Sequence, residues 1–174
     1  MLTIAEANEL IDLHLGRSSR ATHSRFVGHA MRAIAGLLGE DVGLWEVTGL
    51  CHDLDYNATQ TDWARHGLLA AEWLDGRLSA PALDAIRSHD HRTGVRCDTA
   101  IGHALKLADA LAIACDLLAD EAIPVLRAAD ASGRLVRALA AKPYLPSLIV
   151  GNASSLGLSL GQLAEFLAAA PPPT

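Results

Sequence analysis

The chain has 174 residues, enough for one domain with a substantial core. Apolar residues make up 51% and charged residues 20%, the balance of a soluble globular protein, and a net charge of -6 with no basic patch or tail argues against a polynucleotide partner. No stretch is long and apolar enough to span a bilayer, and the opening MLTIAEANEL lacks the basic-then-apolar pattern of a secretion signal, so the expected compartment is the cytoplasm. Cys51, Cys97 and Cys115 are scattered, odd in number and form no CxxC pair, so neither a disulfide scaffold nor a thiolate zinc site is suggested. Aromatics are only 4%, so the core must be built from small and branched aliphatics, a composition that favours closely packed helices.

In chain order, residues 3 to 15 read as a helix capped by Thr3 with Glu6 completing a capping box, and Gly16 ends it. Residues 17 to 21 read as a polar connection. A second helix is expected from about Thr22 to Leu38, where Phe26, Val27, Ala30, Ile34 and Leu37 recur at helical spacing; His23 shares the buried face and His29 does not. After Gly39, Asp41 caps a mostly buried helix that carries Leu44, Val47, Leu50, Cys51 and Leu54 and ends in His52-Asp53, followed by polar turns over residues 55 to 61. A fourth helix is expected over residues 62 to 75, with His66 on part of its packing face. Ser79 and Pro81 open a helix that reaches His89, three residues beyond Ile86.

Asp98 is a candidate cap for a long helix from Thr99 to Leu118 with Asp109 in its alanine-rich interior, where a carboxylate needs a strong partner. Residues 121 to 141 are expected to be helical. Residues 142 to 158, with two prolines and a Gly-Asn pair, read as irregular, and residues 142 to 161 are expected to fold over the site and shape specificity. Ser159 and Gln162 form a capping box for a last short helix, and PPPT reads as a stop and frayed tail. The chain has no internal repeat, and a single all-α domain is expected over residues 1–174.

Seven of the eight histidines fall between residues 23 and 103. His23, His52, Asp53, His66, His89 and Asp109 come from five expected helices or helix ends. Neutral imidazoles and carboxylates suit borderline to hard divalent metals, and six such groups exceed the needs of one tetrahedral ion. They match two ions that share a carboxylate. Taken singly, His23 reads as a core histidine and Asp109 as a buried aspartate paired to a base such as Lys106. His91 competes with His89 as the ligand of its segment.

The order of these groups resembles the HD superfamily of metal-dependent phosphohydrolases. The matching residues are His23 in THSRFVGHA, His52 and Asp53 in GLCHDLDY, and Asp109 in LKLADAL; His66 in ARHGLLAAEWL and His89 in AIRSHDH match the additional histidines of two-metal members. The resemblance covers residues 20 to 118 and leaves 119–174 as a helical and irregular extension. It implies an all-helical HD-type fold, a first metal on His23, His52, Asp53 and Asp109, and a second at His66 and His89. The chain departs from the commoner HDIG or HDxGK patterns in having Asp55 where they have glycine.

The expected reaction is hydrolysis of a phosphate ester of a small metabolite or nucleotide by a metal-activated hydroxide. Iron, manganese, magnesium, cobalt and zinc are equally compatible with the ligand set. Asp53 would bridge the ions. Asp55, Asp90 and His91 are candidates to protonate the leaving group, and Lys106, Arg25 and Arg92 to neutralise phosphate oxygens. The expected partner is a small phosphorylated or phosphonate-like molecule, and the chain is compatible with a homodimer. Two other readings fit the residues: a di-iron oxygenase cleaving a C–C or C–P bond, with Lys106 and Tyr56 gripping the substrate, and a non-catalytic ligand-sensing module.

Overall fold

In the computed structural model, residues 1–169 are described, and every regular element among them is helical. The expected PPPT tail lies outside the described residues. Helices α1 (Ile4–His14), α2 (Ser19–Leu38) and α3 (Val42–Cys51) come first. Thr3 and Glu6 form the expected capping box on α1, and Asp41 accepts from Leu44 N to cap α3. Helix α2 starts earlier than its apolar spacing predicts, because Ser18 accepts from Ala21 N and turns residues 19 to 21 into helix. That extra turn places Arg20 one turn before His23.

Helices α2 and α3 form the most extensive pair in the fold. They approach backbone to backbone. A Cβ on Gly49 would lie 2.8 Å from Gly28 Cα and 2.8 Å from Val27 O, so only glycine fits. This close crossing brings the end of α3, with His52 and Asp53, against the face of α2 that carries His23.

The expected fourth helix is broken. A 3₁₀ turn spans Trp63–Arg65, His66 is extended, Gly67 has φ +81°, and α4 covers only Leu68–Trp73. A side chain at Gly67 would strike Ile86 O at 2.6 Å, so the break lets α4 sit against α5 (Ala80–Ser88). A second 3₁₀ turn, His91–Thr93, follows α5.

Helix α6 (Ala100–Leu118) is capped by Thr99, whose hydroxyl accepts from Gly102 N, rather than by Asp98. It is buried nearly all round and packs on α2, α3, α5 and α9, which makes it the centre of one continuous hydrophobic core. The helix expected over residues 121 to 141 divides into α7 (Ala122–Arg127) and α8 (Ala131–Ala138), the second capped by Asp130. The segment expected to be irregular holds α9 (Leu145–Ser155). Pro146 lies in its first turn, where the missing N–H has no helical partner to lose, so the proline is tolerated. Helix α10 (Leu160–Ala169) follows, with Ser159 and Gln162 bonded reciprocally as expected.

Candidate metal centre

The α2–α3 crossing, the end of α5 and the middle of α6 all point at one spot. His52 caps the C-terminal end of α3, and Asp53 begins the turn that follows. His52 Nε2 lies 3.4 Å from Asp53 Oδ2 and 4.0 Å from Asp109 Oδ1. His23 Nε2 lies 3.0 Å from Asp109 Oδ1 and 3.7 Å from Asp53 Oδ2. On the other side of the same carboxylate, Asp53 Oδ1 is 3.0 Å from His66 Nε2 and 3.5 Å from His89 Nε2, and those two nitrogens are 3.3 Å apart. All six residues singled out in the sequence therefore meet, with Asp53 between two groups of imidazoles.

Local backbone chemistry aims the rings. His52 Nδ1 donates to Gly49 O at 2.7 Å, and His89 Nδ1 donates to Ile86 O at 2.7 Å. A carbonyl can only accept, so the proton of each neutral ring sits on Nδ1 and the Nε2 lone pair faces the centre. His66 Nδ1 is held the same way by Asp55 Oδ1 at 2.9 Å. A carboxylate or carbonyl behind each imidazole is the arrangement that orients metal-binding histidines. Among the described residues His23 Nε2 and His52 Nε2 are buried without a hydrogen-bond partner, although His23 Nε2 lies 3.0 Å from Asp109 Oδ1. Orphaned buried acceptors of this kind are costly unless a cation completes them. The nitrogen and oxygen donors suit a borderline to hard divalent ion; His23, His52 and Asp109 are close enough to hold one, and so are His52, Asp53 and His89, the two sets having His52 in common.

The electrostatics match. Burial opposes the Asp53 anion, but the imidazoles of His52, His66, His89 and His23 outweigh it and hold the carboxyl well below its usual range. Asp109 is lowered too, against its burial, chiefly by His23. Burial pushes the His52 imidazole down to about 4 despite Asp53. Burial also works against the His66 cation, yet the Asp53 and Asp55 carboxylates raise it to about 9. Two fixed anions thus draw in protons where no other cation serves.

A cavity of about 460 Å³ opens over the centre. Arg20 donates from Nη1 to Asp53 Oδ2 at 2.9 Å and lies over the Tyr56 ring, 4.0 Å from its centroid. Arg92 lies over Trp63 at 4.3 Å and is chelated by Asp90. Lys142, Tyr144 and Leu148 come from the α8–α9 connection and α9, so the segment expected to cover the site does line it. Arg20, Lys142 and Tyr144 escaped the sequence reading. Arg20 falls in the stretch that reads as a polar connection, although the Ser18 cap signal puts it in helix one turn from His23. Nothing local marks Lys142 or Tyr144.

Four expected roles need correction. Asp55 is fully buried behind His66, and its oxygens accept from His66 Nδ1, from Gly67 N at 2.7 Å and from Ala70 N at 3.0 Å, so it has no path to the cavity. Lys106 faces a neighbouring cavity rather than this one and does not pair with Asp109. Arg25 is tied to Asp12 at 2.6 Å and to Asn8, away from the centre. Asp90 is bound to Arg92, which outweighs burial and keeps it anionic. Between the two competing histidines, His89 is buried at the centre, while the His91 side chain is 94% exposed.

No helix among the described residues is long and apolar enough to cross a membrane. Searches of curated proteins and of solved structures found no match. The HD domain model matches residues 20–114, which run from Arg20 through every residue of the metal centre. That family, together with the His/Asp clusters, supports metal-dependent hydrolysis in general. The match spans more than half of the sequence, and the chain belongs to the HD domain family.

Proposed function

We propose that this protein hydrolyses a small phosphate ester with two divalent ions, one held by His23, His52, Asp53 and Asp109 and the other by Asp53, His66 and His89. The observation that carries this reading is the orientation of Asp53, which turns Oδ2 to His23 and His52 and Oδ1 to His66 and His89. A carboxylate shared in that way gives each group of imidazoles an anionic oxygen, as a bridged pair requires. When bound, divalent ions would acidify a water and neutralise charge on a phosphoryl group.

The side chains around the centre supply the rest. Asp53 and Asp109 remain anionic through neutral pH. Arg20, Arg92 and Lys142 bring positive charge to the cavity that receives the phosphoryl group. The aromatic faces of Tyr56 and Trp63 hold the two guanidinium groups, so less side-chain freedom is lost when they meet an anion. Ile113 and Leu148 form apolar wall that displaces bulk water. A cavity of about 460 Å³ suits a small molecule.

The test is metal analysis of protein purified without added metal, with phosphate release and oxygen uptake measured side by side on a panel of phosphate monoesters. Metal-dependent phosphate release without oxygen uptake is expected. Two irons with substrate-dependent oxygen uptake would replace the hydrolase by an oxygenase. Tight ligand binding without turnover in either assay would make the domain a sensing module.

A further inference from the structure

We propose that the substrate carries a second anionic group, a carboxylate or a second phosphate, which Lys106 receives in a compartment beside the metal cavity. The inference rests on the hydrolase reading and names the substrate class for it.

Lys106 and Lys142 are the only lysines in the chain. Lys142 lines the metal cavity, and Lys106 lines an adjoining cavity of about 730 Å³. The two cavities share His89, His91 and Leu148 in their linings, so the second compartment directly adjoins the metal cavity on the His89 side, where the far end of a substrate would lie.

Among the described residues no carboxylate bonds Lys106. Many of the chain's arginines pair off with carboxylates, as Arg32 does with Glu46, Arg65 with Glu72 and Arg87 with Asp84. Among the described residues Lys106 Nζ instead donates to a neutral acceptor, Cys97 O, at 3.2 Å. The lysine is half-buried on α6, one turn before Asp109. Holding a partly desolvated ammonium there is unfavourable unless an anion offsets it. The carbonyl takes one of three N–H donors, and the remaining two are free for a ligand.

The other charged groups at this cavity are Arg96 and Asp98. Arg96 is exposed and adds to the positive charge. Asp98 is engaged by His103 at 2.8 Å, and that imidazole is held on its other nitrogen by Asn152 at 2.9 Å. The balance favours an anion. Val95 and Leu148 offer an apolar wall for the carbon skeleton between the two anionic ends.

Three probes of equal chain length separate the possibilities: butyl phosphate, 4-phosphooxybutanoate and butane-1,4-diyl bisphosphate. Their binding to metal-loaded protein is measured by calorimetry for the wild type, Lys106→Gln and Lys106→Arg. In the wild type the second anion is expected to tighten binding on the order of tenfold or more, the worth of one charge-assisted hydrogen bond. In Lys106→Gln the ratio between the two-anion probes and butyl phosphate should fall to near unity, and Lys106→Arg should restore most of it. Whichever two-anion probe shows the larger ratio identifies the second group as carboxylate or phosphate. A wild-type ratio near unity, or a ratio that survives Lys106→Gln, overturns the proposal while the hydrolase reading stands. Failure of all three probes to bind the metal-loaded wild type overturns the hydrolase reading and this inference with it.

Discussion

Asp55→Asn is the sharpest perturbation available, because the side chain keeps its shape and loses only its charge and one acceptor. Asp55 Oδ2 accepts from the backbone N–H groups of Gly67 and Ala70, and Oδ1 accepts from His66 Nδ1. In the variant, the amide oxygen must stay with the two backbone donors, since the amide NH₂ placed there would oppose both. The NH₂ then faces His66 Nδ1. Two donors cannot face each other, so the imidazole proton moves to Nε2, the atom 3.0 Å from Asp53 Oδ1. A protonated Nε2 cannot bind a metal. Loss of a partner behind a metal-binding histidine costs about 10–100-fold in metal affinity. The charge-assisted hydrogen bond also becomes a neutral one, for a destabilisation of roughly 1 kcal/mol.

Asp55→Ala is the control for structure. It leaves Gly67 N and Ala70 N buried without their partner, at roughly 1–3 kcal/mol each, and should unfold at markedly lower temperature. Calorimetric titration of metal-stripped protein is the assay, with thermal unfolding alongside. If two ions bind as proposed, Asp55→Asn should weaken the one at His66 and His89 while keeping the one at His23 and His52. Two ions bound with wild-type affinity by Asp55→Asn would refute the tautomer argument.

The remaining predictions concern protons and packing. In metal-free protein His66 has its folded-state pKa raised from 6.5 to about 9, so its stabilising contribution is complete below about 6.5 and is lost as pH climbs through about 9. At 1.36 kcal/mol per pH unit that contribution is roughly 3 kcal/mol. His52 has its pKa lowered to about 4, so its contribution is complete above 6.5 and is lost as pH falls toward 4. Urea midpoints of stripped protein should therefore peak near pH 6.5. If His66 binds metal as proposed, it must be neutral to do so, and affinity should rise with pH up to about 9 while metal-free stability falls; slopes of the same sign would contradict the assignment. Gly49→Ala forces a Cβ to within 2.8 Å of Gly28 Cα and Val27 O, contacts with backbone that cannot swing away. It should cost about 1–3 kcal/mol by denaturant unfolding and weaken metal binding by shifting His52 and Asp53 against His23. Unchanged values on both counts would show that the helix crossing is not held by this contact.

Local sequence was sufficient for the parts of this protein that depend on neighbours along the chain. Thr3 and Glu6 cap α1, Asp41 caps α3, and Ser159 and Gln162 bond as spaced, because each is an exchange between a side chain and a backbone group three residues away. The apolar spacing placed His23 on the buried face of α2, and Ile86 placed His89 on the inward side of α5. The order of His and Asp groups, by resemblance, named the six residues that meet. Where a backbone rule and a propensity disagreed, the reading failed. Pro146 breaks a helix interior but not a first turn, and the end of α9 that holds it is recognisable only once the helix is seen.

What the tertiary structure decided is which groups share a space. Asp55 and Lys106 have the chemistry of catalytic groups, and nothing along the chain distinguishes such a group from one that serves a neighbour. Asp55 lies 12 residues from Gly67 and 15 from Ala70, and the α4 backbone donors take it out of reach of substrate. Lys106 leaves the metal cavity for the next one, through a bond to Cys97 O across a loop. Lys142 and Tyr144 line the cavity from a C-terminal connection that no period in the sequence ties to it. Helical spacing fixes the direction of a side chain relative to its own helix, whereas its surroundings depend on how α2, α3, α5, α6 and α9 cross, and that is set by backbone approach at Gly28 and Gly49 and by the burial of α6.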